Sequence, residues 1–167
     1  MPTRGLIGTD YLRVRPDFKV LRNPYGDDDI VVVPAVNPAV GVFHAFRADR
    51  EGNVVADRNQ NNWLLAQAAE KVIVTVEEIV APGDLVRGSF DGVIANIHVD
   101  AIVHAPHGAH PTLCRGYYQS DAAHVREYLT YAGSDDSFQE YLDRYVRGGE
   151  ARYLELVGAM AEEGSRA

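Results

Sequence analysis

Residues 71–80, KVIVTVEEIV, constrain the fold more than any other stretch of the chain. Val72, Ile73, Val74, Thr75 and Val76 are apolar or β-branched without alternation. A strand with one wet face would alternate; an unbroken run fits a strand covered on both faces, as in a parallel sheet. VDAIVHAP (99–106) predicts a second strand of this kind. Before residue 71, Asn61 or Asn62 can cap a short helix whose buried stripe is Leu64, Leu65, Ala68 and Ala69. Strand, helix and strand in succession predict an α/β layered fold.

The residues ahead of this core read as strands and loops. DIVVVPAV (29–36) and AVGVFHAF (39–46) are short, β-branched and bounded by Pro or Gly. Gly52-Asn53 supplies the positive φ values of a tight turn. The last third is helical. Ser120 can cap a helix carrying Val125, Tyr128, Leu129 and Ala132. Ser134 or Ser137 can cap the next, whose stripe is Phe138, Tyr141, Leu142, Tyr145 and Val146. Gly148-Gly149 ends it. Leu154, Val157, Met160 and Ala161 mark a final amphipathic helix. The tyrosine stripes predict core or subunit contact, not a cofactor box. The 167 residues are expected to form a single domain in three parts. These are a strand and loop part (1–60), a strand–helix–strand core (61–112) and a helical part (113–167).

Composition removes several classes. A net charge of −8 with no basic stripe argues against nucleic acid. No apolar run is long enough to span a bilayer. The opening MPTRGLIGTD lacks the apolar core of a signal peptide, so the expected location is the cytoplasm. Cys114 is the only cysteine, which rules out an internal disulfide and any multi-cysteine zinc motif. It reads as a packing residue; nearby histidines leave a nucleophilic role as the alternative.

Three stretches carry candidate chemistry. FHAFRADREGN places His44, Arg47, Asp49, Gly52 and Asn53 at the end of a predicted strand and in the turn after it. Ligands of α/β sheets sit outside the carboxyl ends of strands; the alternative is a β-turn with solvated charges. VTVEEIV brings Glu77 and Glu78 to where a buried strand emerges. Partial burial can make such a carboxylate a nucleophile or general base. Alternatively, one faces solvent and the other pairs with an arginine. HVDAIVHAPHGAHP holds four histidines, His98, His104, His107 and His110. On a strand, His98, Asp100 and His104 share one face. Zinc needs three or four ligands converging at about 2 Å. Strand–turn spacing does not bring His104, His107 and His110 together as one helical face would. No metal is expected, and the stretch is read as a cleft wall.

Taken together, FHAFRADREGNVV, KVIVTVEEIV and HAPHGAHPTLCRGYY, in this order and joined by FDGVIANIHVDAIV, have a wider likeness. With PTRGLIGTD and FKVLRNPYGDDDIVVVPAVNPAV ahead of them, they resemble the alpha (A) subunit of family I coenzyme A transferases, glutaconate CoA-transferase type. The resemblance runs from Pro2 to about Val146. It implies an open, mostly parallel α/β sheet with C-terminal helices, and an enzyme that works as an alpha–beta complex. In that family a glutamate attacks the acyl-CoA thioester and forms an acyl–glutamyl anhydride. It then carries CoA as a glutamyl thioester until an acceptor carboxylate takes over. Amide donors stabilise the oxyanion at each step.

In the glutaconate type that glutamate lies in the beta subunit, so the resemblance assigns no catalytic residue here. Glu77 and Glu78 are candidates by position alone. His44, Arg47, Asp49, Asn53, His107, Gly108 and His110 are expected to line a substrate cleft or subunit interface. Coenzyme A is expected as substrate, with no permanently bound cofactor. Family alpha subunits carry a glycine-rich segment ahead of the point matching PTRGLIGTD. The resemblance therefore implies the C-terminal part of a subunit, with N-terminal strands missing and an edge or apolar face exposed. Such a chain is expected to be inactive alone and to oligomerise or bind a beta subunit. Two other functions stand beside transfer: a thioester hydrolase or ring-opening relative of the same fold, and a non-catalytic partner-binding remnant. Neither a nucleic acid nor a membrane is an expected partner.

Overall fold

A computed structural model describes the backbone of residues 1–164 and the side chains through Gly158. A small antiparallel sheet comes first. It holds β1 (Pro2–Thr3), β2 (Lys19–Arg22) and β3 (Asp29–Val32) in the order β1–β3–β2, with a helical turn α1 (Tyr11–Val14) between the first two. The next elements are β4 (Val40–Asp49), β5 (Val54–Asp57), α2 (Asn62–Ala68), β6 (Lys71–Val80), β7 (Asp91–Ile94) and β8 (Ala101–His104). Their strands form a five-stranded sheet ordered β7–β5–β4–β6–β8. Three helices follow: α3 (Ala122–Tyr131), α4 (Asp135–Tyr145) and α5 (Gly149–Gly164).

The larger sheet is mixed around a parallel core. β4–β6 and β6–β8 are parallel, as read from the sequence; β4–β5 and β5–β7 are antiparallel. The antiparallel half begins at the hairpin between β4 and β5, where Gly52 takes φ +93°. β4 and β5 share this sheet with β6, β7 and β8, so it joins residues of the 1–60 part to those of the 61–112 part.

One face of the sheet is packed. Phe43, Ala45, Val72, Val74, Val76 and Ile94 bury together with Ala66 of α2. A Cβ on Gly41 would come within 3.1 Å of Leu65 and Ala69, so the helix lies close on the strand. The buried side of this seven-residue helix is Leu65, Ala66 and Ala69; Leu64 and Ala68 are exposed, contrary to the stripe read from sequence.

The opposite face differs from expectation. β6 is covered on one side only along its first half. Val72, Val74 and Val76 are buried, while Ile73 and its lateral neighbours Val42 and Ala101 are exposed. Val40 and Val103 continue this bare apolar strip. The β-branched run reflects the fit of such side chains to a pleated surface as much as two-sided burial. At Thr75 and Glu77 the same face is covered by residues 105–118, and at Ile79 it is exposed again. β8 is also shorter than read: Asn96–His98 form a 3₁₀ turn and Asp100 precedes the strand, so His98 and His104 share no strand face.

Asp121, not Ser120, caps α3 by accepting the His124 N–H, and Ser134 caps α4 by accepting that of Ser137. Their packed centre is His124 and Tyr145; Leu129 is exposed. Val157 of α5 is buried, and the side chains of Met160 and Ala161 lie outside the described residues. No helix among the described residues is long and apolar enough to cross a membrane.

Candidate functional site

The parallel strands deliver His44, Thr75 and Glu77 to the carboxyl end of the sheet, on the face covered by residues 105–118. His44 and Thr75 are lateral neighbours in the β4–β6 register. The Glu77 side chain is 4% exposed, and a carboxylate so enclosed must be satisfied by donors. Three are present. His44 Nε2 lies 2.7 Å from Oε1. The Tyr118 hydroxyl donates to Oε1. The His107 backbone N–H donates to Oε2 at 2.7 Å.

The rest of the network follows. His44 Nδ1 lies 2.8 Å from Thr75 Oγ1. The assignment that satisfies every atom has the threonine hydroxyl donating to Nδ1 and Nε2–H donating to Glu77. Tyr118 accepts the Ala109 N–H at 3.0 Å, and its ring stacks on His107 at 5.0 Å. His104 Nε2 lies 3.1 Å from the Glu77 carbonyl oxygen. Glu77 therefore ties residues 104–118 to the sheet from both carboxylate oxygens.

Neighbouring groups respond to this buried charge. Burial, and then the nearby Glu77 carboxylate, push the Cys114 thiol up to about 12. Burial and the bond to Glu77 likewise raise Tyr118 above the ordinary phenol value. Both stay protonated at neutral pH, which removes Cys114 as a ready nucleophile. Cys114 and His44 line a cavity of about 370 Å³ together with Phe46, Asp57, Asn62 and Arg115.

The other sequence candidates separate from this group. Glu78 pairs with Arg87 at 3.0 Å. Burial alone would raise its pKa, but bonds from Tyr117 and Arg87 outweigh it and hold Glu78 below the usual carboxylate value. Arg47 is buried against Asp91 at 2.8 Å and also donates to the Leu85 carbonyl. Asp49 and Asn53 build the β4–β5 hairpin: Asp49 accepts the Glu51 and Asn53 N–H groups and the Asn53 amide. Their side chains shape this turn and make no contact with the Glu77 cluster, so their expected place on a substrate cleft or subunit interface stays a proposal. His110 turns the other way, with Nδ1 on the Tyr153 hydroxyl at 2.5 Å and Nε2 3.4 Å from Asp121. Gly108 is confined: a Cβ there would lie 2.8 Å from both the Ala105 carbonyl oxygen and His44 Cε1.

His104, His107 and His110 thus point to different partners and form no ligand set. Among the described residues one group of ligand type converges, His44, Glu77 and Cys114, with ligand atoms within 4.8 Å of one another. A proton already accounts for the His44–Glu77 contact, and Cys114 keeps its own. The partners that sequence reasoning missed are Thr75, Tyr118 and Asp91. Thr75 is the one polar side chain within the apolar run, which was its available signal.

No protein-family model matches the chain. It is 34% identical over 152 residues to the alpha (A) subunit of 3-oxoadipate CoA-transferase from Pseudomonas knackmussii, covering 87% of this chain and 51% of that protein. It is 31% identical over 173 residues to the cholesterol ring-cleaving hydrolase IpdA subunit of Rhodococcus jostii, covering 98% and 58%. The crystal structure of glutaconate coenzyme A-transferase from Acidaminococcus fermentans matches with a TM-score of 0.79 at 28% identity, covering 96% of this chain and 56% of that one. The chain spans about half the length of the curated relatives it matches. By sequence and by fold, it belongs to the family I coenzyme A transferases, among the alpha subunits of the glutaconate type.

Proposed function

We propose that the chain serves as alpha-subunit material in an enzyme that moves coenzyme A between an acyl-CoA and a carboxylic acid, with the attacking glutamate supplied by a partner beta subunit. The observation that carries this is the state of Glu77. An attacking carboxylate needs a free, accessible oxygen. Both oxygens of Glu77 are engaged and the side chain is sealed, while Glu78 is held by Arg87. Neither is presented as a nucleophile. Glu77 instead shapes a substrate or subunit surface at the end of the sheet. The bare strip of Val40, Val42, Ile73 and Val103 beside this site supports burial against further protein.

The experiment is to assay the chain alone and co-expressed with a beta subunit, using acyl-CoA donors and carboxylate acceptors. Transfer is expected only with the partner. Turnover by the chain alone would overturn the proposal and return Glu77 or Glu78 to the role of nucleophile. The ring-cleaving hydrolase among the relatives favours a second reading, in which water replaces the acceptor acid. Free CoA or a cleaved carbon skeleton, in place of a new acyl-CoA, would establish it.

A further inference from the structure

His107 holds a backbone conformation that few non-glycine residues adopt, with φ +60°. Such positions cost about 1–3 kcal/mol and persist only where the surroundings over-determine them. Here they do. The His107 N–H is fixed on Glu77 Oε2, its ring is stacked on Tyr118, and the next residue has no room for a side chain. Glycine would take this conformation without strain, yet the position carries an imidazole. That ring is exposed, and its two nitrogens make no hydrogen bond among the described residues. A strained backbone therefore presents an unengaged donor and acceptor at the carboxyl end of the parallel strands, where ligands of such sheets sit.

The ring borders a cavity of about 280 Å³ between the 105–110 turn and the start of α5. Pro106, His110, Tyr145, Tyr153 and Leu154 also line it; among the described residues the one charged side chain there is Glu150, with no Lys or Arg. A free carboxylate would meet a like charge and no cation. A neutral chain of amides and a thioester meets hydroxyl, imidazole and apolar surface. The volume sits near the lower limit of about 300 Å³ for small-molecule sites, so it admits a segment of coenzyme A rather than all of it.

We propose that this cavity takes the neutral pantetheine–thioester arm of an acyl-CoA, and that His107 donates a hydrogen bond to one of its carbonyl oxygens. The inference rests on the CoA reading above. Glu77 acts through His107 and is a positioning residue.

The test uses the full chain with its beta subunit, acetyl-CoA and acetyl-pantetheine as probes, and binding calorimetry. Wild type is expected to bind both. His107→Asn keeps a residue that tolerates positive φ and removes the imidazole. It should weaken both probes about three- to tenfold, the worth of one hydrogen bond, with a melting temperature equal to or above wild type. Acetate should not displace acetyl-pantetheine. Unchanged affinity in H107N, a large fall in its melting temperature, or displacement by acetate would overturn this inference alone. If wild type binds neither thioester, the CoA reading fails, and this inference with it.

Discussion

Glu77 and His124 are both buried polar groups at the centre of a cluster, on opposite sides of the 105–111 turn. Around Glu77 three donors meet a carboxylate, and every polar atom has a partner. Around His124 there are rings. Tyr145 lies 4.7 Å away, His110 5.1 Å and Tyr141 5.9 Å, each edge-on or nearly so. His124 Nε2 bonds the Tyr141 hydroxyl, and its Nδ1 has no partner among the described residues. The first cluster fixes geometry through charge and directed hydrogen bonds. The second fills space, with polar atoms as secondary handles. Loss of charge should therefore be far more damaging in the first than loss of polarity in the second.

The largest effect is expected from Glu77→Leu. It leaves the His44 ring N–H, the Tyr118 hydroxyl and the His107 N–H buried without an acceptor, at about 3–5 kcal/mol. Denaturant unfolding measures it. A loss under about 1 kcal/mol would show that water replaces the carboxylate easily and that the cluster is not closed.

A smaller effect separates the clusters by pH. Burial, opposed by Asp121 and joined by the neighbouring His124 and His107, lowers the affinity of His110 for its proton. Tyr153 also faces it. The unfolded state then binds more protons than the folded one just below pH 6.5, the ordinary histidine value. Stability attributable to His110 is present above that value and is lost as pH falls through the lower folded one. Thermal melts between about pH 7.5 and 5.5 should show this decline. His110→Gln should flatten it; an equal slope in the variant would assign the decline elsewhere.

His124→Leu should cost about 1 kcal/mol or less, because it removes an orphaned nitrogen along with one bond to Tyr141. A loss as large as that of Glu77→Leu would erase the contrast between the two clusters. The smallest effect is expected from metal removal. Dialysis against a chelator should leave the melting temperature and any transfer activity unchanged, and elemental analysis should find far less than one zinc per chain. A stoichiometric metal lost on changing His44 or Cys114 would redefine the Glu77 cluster as a metal site.

These contrasts also show what was legible in the sequence. The apolar run at 71–80 marked the parallel core because its pattern is local. The hairpin at Gly52-Asn53 was legible for the same reason, although the part that Asp49 and Asn53 play in building the turn was not. The Glu77 cluster was half legible. A carboxylate at the end of a buried strand is visible in VTVEEIV, but its partners are not, because His44 lies 33 residues away and Tyr118 41. Only the register of β4 on β6 and the fold-back of residues 105–118 bring them together. The bare strip at Val42 and Ile73 was not legible, because the residue pattern of 71–80 had called for cover on both sides.

The central claim is that Glu77 positions the turn carrying His107. The most direct measurement is hydrogen exchange at the His107 amide in wild type and in Glu77→Gln, which keeps the shape and removes the charge. Exchange of His107 is expected to accelerate by at least about tenfold, the equivalent of 1.4 kcal/mol, while amides in the middle of β6 stay protected. Unchanged protection at His107 would show that the turn holds itself, and that Glu77 does not govern it.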